Sequence, residues 1–185
     1  MSGALNGLPL KPCLVWDARQ VTVWLDPPLV GERVVVRQPA VGDEAGLVEM
    51  ATDERVRRFL GGAADPVAAA AKASARVAGG VWGQFVVVHR GSGDLIGSGD
   101  LARKRGPWEV SYQLRHRYWG RGLAAEAVAL VRGWFFAHTE HDLLIATTQQ
   151  ANDRSRRLLE RLGAVNVGAF EQYGLVQQRY EFYRS

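Results

Sequence analysis

A change of hydrophobic period between residues 108 and 136 constrains the fold more than any other feature of the sequence. From Trp108 to Leu114 apolar and polar side chains alternate, which is the pattern of a β-strand with one buried face. From Leu123 onward the apolar residues instead recur at helical spacing and form a single face. That face comprises Leu123, Ala127, Leu130, Val131, Trp134 and Phe135. The stretch therefore predicts a strand, a tight turn and a helix in direct succession.

The predicted turn contains Gly120 and Gly122 and is flanked by Arg117 and Arg121. Glycine lets a backbone approach a ligand closely, and the first amide N–H groups of a helix have no acceptor within the helix. The helix dipole and the two arginines add positive charge at the same place. One interpretation is an anion-binding turn, most simply for a phosphate, and the other is an ordinary strand–turn–helix. Neither the glycine-rich dinucleotide motif nor the lysine-containing phosphate loop is present.

The remainder of the chain predicts further strands and helices around this unit. Strands are expected at 33–37, 81–89, 95–102, 141–149, 164–170 and 177–183, and helices begin near Asp43, Asp53, Asp65 and Asn152 as N-caps. This order predicts an α/β (α+β) fold with a mixed sheet. We expect one domain over 32–185 and an N-terminal extension over 1–31. Residues 21–24 alternate like an added strand or hairpin, and a weakly ordered arm is the alternative.

Composition excludes several classes of protein. The single cysteine, Cys13, rules out an intramolecular disulfide and a cysteine-based zinc cluster, and the four histidines show no ligand spacing, so no metal is expected. A net charge of +4 with scattered arginines does not predict nucleic-acid binding, and the basic residues 103–105 are interpreted as a solvated loop. No apolar run reaches the roughly 20 residues of a membrane span, and no secretory signal is visible. A cytoplasmic protein is the expectation.

Two segments together carry a resemblance to a known family. They are EVSYQL with RYWGRGLAAEA, at residues 109–114 and 117–127, and NDRSRRLLERLG at residues 152–163. With them, residues 32–183 resemble the GNAT superfamily of acyl-CoA-dependent N-acetyltransferases, in particular the branch that includes ribosomal-protein N-terminal acetyltransferases. The acetyl-CoA motif of the family begins with Gln or Arg. A Gly follows three residues later, and a Gly or Ala follows two residues after that Gly. It falls on Trp119, Gly122 and Ala124, so Trp119 departs from the pattern, as does His116 where the branch usually has proline.

The resemblance implies a three-layer domain whose mixed, mostly antiparallel sheet has about seven strands. It also implies that the central strand, 108–114, splays away from the next, 143–149. In the family the resulting gap receives acetyl-CoA, the co-substrate, and no metal takes part. The residues that would hold the cofactor are the free backbone groups of Gln113, Leu114 and Arg115, the turn residues Trp119, Gly120, Arg121, Gly122, Leu123 and Ala124, and the side chain of Asn152.

The resemblance also assigns catalytic candidates. Glu109 is the candidate base that takes the proton of the attacking amine, although a solvent-facing glutamate is the alternative, and Asp100 is a weaker candidate. Ser155 is the candidate acid for the departing thiolate, while Asn152 caps the helix that carries it. The acceptor would be a primary amine, either a protein N-terminus or a small molecule, bound between residues 59–78 and 171–178. Trp24 and Trp82 are expected in the core, with an acceptor pocket as the alternative.

Two other functions stay open from the sequence. A non-catalytic acyl-CoA sensor would keep Gly122 and Asn152 but would not need Glu109 or Ser155. A nucleic-acid-associated basic protein is a weaker alternative. The expected partners are acetyl-CoA and an amine acceptor, without nucleic acid or membrane, and a homodimer is left open.

Overall fold

The computed structural model describes residues 24–103 and 106–184, and its elements alternate between strands and helices. In chain order they are β1 (Leu29–Val30), β2 (Val34–Arg37), α1 (Glu44–Thr52), α2 (Glu54–Arg57), α3 (Pro66–Ala78), β3 (Gln84–His89), β4 (Leu95–Ala102), β5 (Trp108–Leu114), α4 (Leu123–His138), β6 (Leu143–Gln149), α5 (Asp153–Arg161), β7 (Val165–Gln172) and β8 (Leu175–Tyr183). A 3-10 turn, His116–Tyr118, connects β5 to the glycine turn ahead of α4. The predicted strand–turn–helix unit is confirmed.

All the strands of the described residues form one mixed sheet in the order β1-β2-β3-β4-β5-β6-β8-β7. Every neighbouring pair is antiparallel except β5 and β6, which are parallel. The predicted α/β fold is therefore confirmed. Its described part has eight strands where about seven were expected, because Leu29 and Val30 add a short edge strand beside β2. Most of the strand expected at 21–24 lies outside the described residues.

The parallel strands β5 and β6 separate soon after they begin to pair. Their register contains only Trp108 opposite Leu144 and Glu109 opposite Ile145. Beyond Glu109 the two strands diverge, so the expected splay between 108–114 and 143–149 is confirmed. The gap opens toward the end of β5 from which the glycine turn and α4 follow, which places a helix N-terminus beside unpaired strand edges.

Helices cover both faces of the sheet, as the three-layer expectation requires. On one face Val110 and Leu114 of β5 pack into a core with Val131 and Phe135 of α4 and with Leu159 of α5. On the other face Val86 of β3 packs with residues of α1, α2 and α3. Those residues are Leu47, Met50, Val56 and Ala73. Since successive side chains of a strand point to opposite faces, the alternation in β5 and β3 positions the two helix layers.

Three of the four predicted helix caps are confirmed. Asp65 accepts a hydrogen bond from the Ala68 N–H at 3.0 Å, and Asp53 accepts one from the Arg55 N–H at 2.9 Å. Asp43 occupies the predicted N-cap position of α1, but its side chain makes no capping hydrogen bond. Its carboxylate instead accepts two hydrogen bonds from the Arg37 guanidinium, at 2.7 and 2.8 Å. Charge-assisted paired hydrogen bonds of this kind are about twice as strong as neutral ones.

The core interpretation of the tryptophans is also confirmed. Trp24 is 3% exposed and its indole N–H donates to the Gln84 carbonyl at 2.7 Å. Its ring lies 5.1 Å from that of Trp82 and 4.6 Å from that of Trp134. Both partners pack against the core on the α4 face of the sheet.

Among the described helices, none is both long enough and apolar enough to traverse a lipid bilayer.

Candidate active site

The glycine turn ahead of α4 has the geometry of an anion cradle. Gly120 and Gly122 have φ values of 75° and 76°, a left-handed conformation that glycine adopts without the steric cost of a Cβ. The first backbone hydrogen bond of α4 runs from the Glu126 N–H to the Gly122 carbonyl at 3.2 Å. The N–H groups of residues 122–125, ahead of that bond, are those that a helix start leaves without an intrahelical acceptor.

Arg33 and Glu126, neither of which was predicted from the sequence as a site residue, form an ion pair beside this turn. Glu126 Oε2 lies 3.0 Å from Arg33 Nε, while Glu126 Oε1 accepts the backbone N–H groups of Arg33 at 2.7 Å and Val34 at 3.3 Å. Arg33 Nη1 in turn donates to the Arg121 carbonyl at 2.8 Å. A Cβ added to Gly122 would lie 3.3 Å from Arg33 Nη2, so the guanidinium sits directly beside the turn.

The ionised form of Glu126 is favoured by its surroundings. Burial raises the pKa of this carboxyl, but the backbone hydrogen bonds from Arg33 and Val34 and the Arg33 guanidinium together outweigh burial. The pKa therefore lies below its ordinary value. Nothing in the local sequence pairs residues 33 and 126, because they are brought together only when α4 packs across the start of β2.

Further arginines surround the turn, as the sequence predicted. The guanidinium carbons of Arg117 and Arg121 lie 5.2 and 5.6 Å from the ring centroid of Tyr118, which is within cation–π range. Arg117 also lies 3.7 Å from a carboxylate oxygen of Glu49. The turn therefore lies among arginine side chains, and Arg117 and Arg33 are also close to the carboxylates of Glu49 and Glu126.

The backbone groups expected to face the gap are only partly free. The Arg115 N–H donates to the Ile96 carbonyl of β4 at 2.8 Å, and its carbonyl accepts from the Tyr118 N–H at 3.0 Å. The expectation of free backbone groups on Arg115 is therefore wrong. Hydrogen-bonding direction alternates along an antiparallel strand, so Gln113, whose register partner is Ser98, also faces β4. Tyr112 and Leu114 are the residues whose backbone groups face the gap.

The side chain of Trp119 occupies one of the backbone groups that face the gap. Its indole N–H donates to the Leu114 carbonyl at 2.8 Å. The Leu114 carbonyl is consequently engaged, while the Leu114 N–H remains directed toward the gap by the alternation of the strand. Trp119 thus closes the end of β5 with a side chain, at the position where the resemblance expects a direct contact with the coenzyme.

Glu109 lies on the sheet face covered by α1–α3 and is half-buried. Its Oε1 accepts a short hydrogen bond from the Thr147 hydroxyl of β6. Since Glu109 is the last β5 residue paired with β6, its carboxylate sits where the gap begins. The neighbouring candidate Asp100 differs, because its carboxylate lies 3.1 Å from Arg76 Nη2 in an ion pair. The described residues include no such cation for Glu109.

Ser155 lies on the opposite side of the gap, in the first turn of α5. Its N–H donates to Asn152 Oδ1 at 3.3 Å, which confirms Asn152 as an N-cap. Its hydroxyl is 2.9 Å from the phenol oxygen of Tyr112. Burial raises the pKa of Tyr112 to about 12, so this phenol stays protonated over the working range of most proteins. From the sequence alone, Tyr112 is predicted only as a residue on the apolar side of the strand.

The two predicted acceptor-binding segments meet at the far end of β6. Gln149 Nε2 donates to the Phe59 carbonyl at 3.2 Å, and Gln149 is the register partner of Gln177 on β8. Loop residues after α2 and the β7–β8 hairpin therefore approach the same strand end, on the sheet face that carries Glu109.

Within the described residues, no group of three or more His, Cys, Asp or Glu side chains is placed to share a metal ion.

Known proteins resemble this chain both in sequence, through a family model, and in fold, through solved structures. A family model described as an acetyltransferase (GNAT) domain matches residues 33–165. A GNAT-family acetyltransferase from Bacillus anthracis superposes with a TM-score of 0.76 at 20% identity, covering 84% of this chain and 98% of that one. The ribosomal-protein-S5-alanine acetyltransferase from Vibrio fischeri gives 0.68 at 19% identity, covering 84% and 96%. An aminoglycoside acetyltransferase in complex with coenzyme A gives 0.65 at 14% identity, covering 82% and 95%.

Proposed function

Because the chain belongs to the acetyltransferase (GNAT) family, we propose that it moves an acetyl group from acetyl-CoA to a primary amine by direct attack in a ternary complex. The observation that carries the proposal is the gap between β5 and β6, which opens beside the glycine turn of α4. Glu109 lies on one face of the sheet at this gap, and the Tyr112–Ser155 pair lies on the other. A thioester in the gap would have a base and an acid on opposite sides.

The residues of the turn fit a coenzyme with a diphosphate. A Cβ at Gly120 would occupy open space, so the outer side of the turn is accessible to a ligand, and the amides there carry the positive end of the helix dipole. The Arg33 guanidinium lies at the inner side of the turn, where it is paired with Glu126 and donates to the Arg121 carbonyl. The Leu114 N–H is the backbone donor that we assign to the pantetheine arm or to the thioester oxygen. Acetyl-CoA supplies an activated acyl group to this site.

Glu109 would act as the base for the attacking amine, directly or through one water molecule. A free α-amine has a pKa of about 8 and a lysine amine about 10.4, so both are mainly protonated at neutral pH. Glu109 has the Thr147 hydroxyl as a partner that orients it, and it has no neutralising cation among the described residues. These two features favour Glu109 over Asp100, whose charge is shared with Arg76.

Ser155 would donate its hydroxyl proton to the departing sulfur and recover a proton from solvent, while the Tyr112 phenol hydrogen-bonds to the Ser155 oxygen. Tyr112 is a positioning residue in this scheme, because its phenol fixes the direction of the Ser155 hydroxyl. Burial raises the pKa of Tyr112 to about 12, so the phenol keeps its proton and can donate to the Ser155 oxygen. Asn152 holds the other side of Ser155 through the backbone N–H and has the position expected for a pantetheine contact.

The acceptor class has two candidates, a protein N-terminus and a small-molecule amine. A ribosomal-protein acetyltransferase and an aminoglycoside acetyltransferase are both structural neighbours, but at identities of 19% and 14% they share only the fold. We assign catalysis to residues 32–185, to which Trp24 adds a core side chain and Leu29–Val30 adds the edge strand β1. With a single cysteine and an acetyl-CoA requirement, the cytoplasm is the compartment that we propose.

The decisive experiment has two steps. Acetyl-CoA should first raise the melting temperature of the protein by mass action, whereas duplex DNA should not. Release of free thiol should then be measured with α-amino peptides, lysine peptides, polyamines and aminoglycosides as acceptors. Acceptor-dependent thiol release supports the enzyme. Binding of acetyl-CoA without release for any acceptor supports the alternative, a non-catalytic acyl-CoA sensor, and absence of binding contradicts both.

A further inference from the structure

Arg154 forms a cation–π pair with Trp119 at the mouth of the gap. Its guanidinium carbon lies 4.6 Å from the centroid of the Trp119 ring. Trp119 is itself fixed, because its indole N–H is bonded to the Leu114 carbonyl at 2.8 Å and its ring packs edge-on against His116 at 4.8 Å. The pair joins the residue that precedes the glycine turn of α4 to the first turn of α5. Arg154 therefore reaches from the first turn of α5 to the residue just ahead of the glycine turn of α4.

The charge of Arg154 is not neutralised by its neighbours. It is exposed, and none of the ion pairs among the described residues involves it. Arg156 on the same helix provides a contrast, since it lies 3.4 Å from a carboxylate oxygen of Asp153 and donates to the Tyr180 hydroxyl at 3.4 Å. An exposed arginine held on an aromatic face keeps its in-plane N–H groups available for another acceptor.

Trp119 cannot supply a charged contact to a phosphate. An indole has one donor, and that donor is already used by the Leu114 carbonyl. A cation at this end of the glycine turn must therefore come from another side chain, and Arg154 lies directly on the Trp119 ring. A guanidinium can stack on the indole face and still present two parallel N–H groups to phosphate oxygens, which the ammonium of a lysine cannot do.

We propose that Arg154, held by stacking on Trp119, binds the diphosphate of the coenzyme from the α5 side of the glycine turn. This inference rests on the proposed function, because it assigns a further residue to the same cofactor site. Trp119 serves as the platform that positions Arg154. The diphosphate would then be enclosed by the amides of the turn, by Arg33 on the β2 side and by Arg154 on the α5 side.

Calorimetric binding to the full chain tests this assignment with three ligands: coenzyme A, dephospho-coenzyme A, which lacks only the 3′-phosphate, and pantetheine, which lacks the diphosphate. For Arg154→Ala we expect coenzyme A affinity to fall on the order of tenfold, as for the loss of a charge-assisted hydrogen bond. Arg154→Lys should recover only part of that loss. Arg157→Ala is the matched control, an exposed arginine on the same helix, and should bind like the wild type.

The ligand series separates the alternatives. An equal loss with coenzyme A and dephospho-coenzyme A, and no loss with pantetheine, supports the diphosphate as the partner. A loss that disappears with dephospho-coenzyme A would assign Arg154 to the 3′-phosphate and overturn the proposal. A similar loss with pantetheine would mean that Arg154 only supports the packing of Trp119, and it would overturn the proposal. Unchanged coenzyme A affinity in Arg154→Ala would overturn the proposal as well. If the wild type binds none of the three ligands, the proposed function itself fails.

Discussion

The phenol oxygen of Tyr112 lies 2.9 Å from the hydroxyl oxygen of Ser155, which connects β5 to α5 past the point where β5 and β6 separate. The two residues are 43 positions apart in sequence. Burial raises the pKa of Tyr112 to about 12, so both hydroxyls carry their protons at neutral pH and either can donate. When the phenol donates, the Ser155 hydroxyl proton is free to point into the gap.

This pair predicts that Tyr112→Phe lowers turnover without weakening coenzyme binding. We expect a fall of about tenfold, below the 10²–10⁴ typical of acid–base catalysis, because a thiolate leaves with little assistance. The defect should be constant from pH 7 to 10, since Tyr112 stays protonated below about 12. Single-turnover rates of Tyr112→Phe, Ser155→Ala and the double variant measure it. Additive losses would show that the two residues act separately, and an unchanged Tyr112→Phe rate would remove the positioning role.

Glu109→Gln should lower turnover by about 10²-fold and make the rate depend more steeply on pH. Without the carboxylate the enzyme can use only amine that is already neutral, so the loss should be greater for a lysine amine than for an α-amine. Rates with both acceptor types from pH 6 to 10 measure the effect.

Asp100→Asn is the matched control for that experiment, because Asp100 lies on the adjacent strand but is paired with Arg76. It should leave the pH profile unchanged. Full activity of Glu109→Gln together with an impaired Asp100→Asn would move the base to Asp100.

Much of the fold was predictable because it follows from local patterns. The alternation of Trp108–Leu114, the helical spacing after Leu123 and the side-chain caps at Asp53 and Asp65 are properties of short segments, and they are confirmed. Asp43 failed as a cap because Arg37, on β2, competes for the same carboxylate. The pairing of a strand residue with a helix residue depends on packing, which the local pattern does not contain.

The wrong expectation for the backbone groups of Gln113 and Arg115 also arises because the local pattern does not contain the packing of neighbouring elements. Alternation along a strand shows which face a side chain occupies, but the edge toward which each backbone N–H points depends on the register with the neighbouring strand. The register of β4 and β5 turns Arg115 toward β4, so its N–H is occupied. The contact between Arg33 and Glu126 joins residues 93 positions apart and required the packing of α4 on β2.

Gly122→Ala should weaken coenzyme binding and destabilise the protein. Gly122 has a φ of 76°, and a Cβ there would lie 3.3 Å from Arg33 Nη2. A non-glycine residue in this conformation costs roughly 1–2 kcal/mol. Gly133→Ala on the same helix is the matched control, because a Cβ there meets nothing within 4 Å and alanine is the better helix former, so it should be neutral or slightly stabilising. Urea unfolding and coenzyme A affinity measure both variants, and equal behaviour of the two would contradict the role of the turn.

Glu126→Gln should destabilise the protein at neutral pH by about 1–3 kcal/mol, because the charged acceptor of the Arg33 and Val34 N–H groups and of the Arg33 guanidinium is lost. The folded-state pKa of Glu126 lies below its ordinary value, so its contribution is fully present above the ordinary glutamate pKa of about 4.3 and is lost as pH falls through the lower folded value. The difference in unfolding free energy between wild type and Glu126→Gln should therefore be largest near pH 7 and shrink toward pH 3. Urea titrations at several pH values measure this difference, with the exposed Glu140→Gln as the control that should show little change at any pH. A difference that stays constant down to pH 3 would mean that Glu126 contributes through packing rather than through its charge.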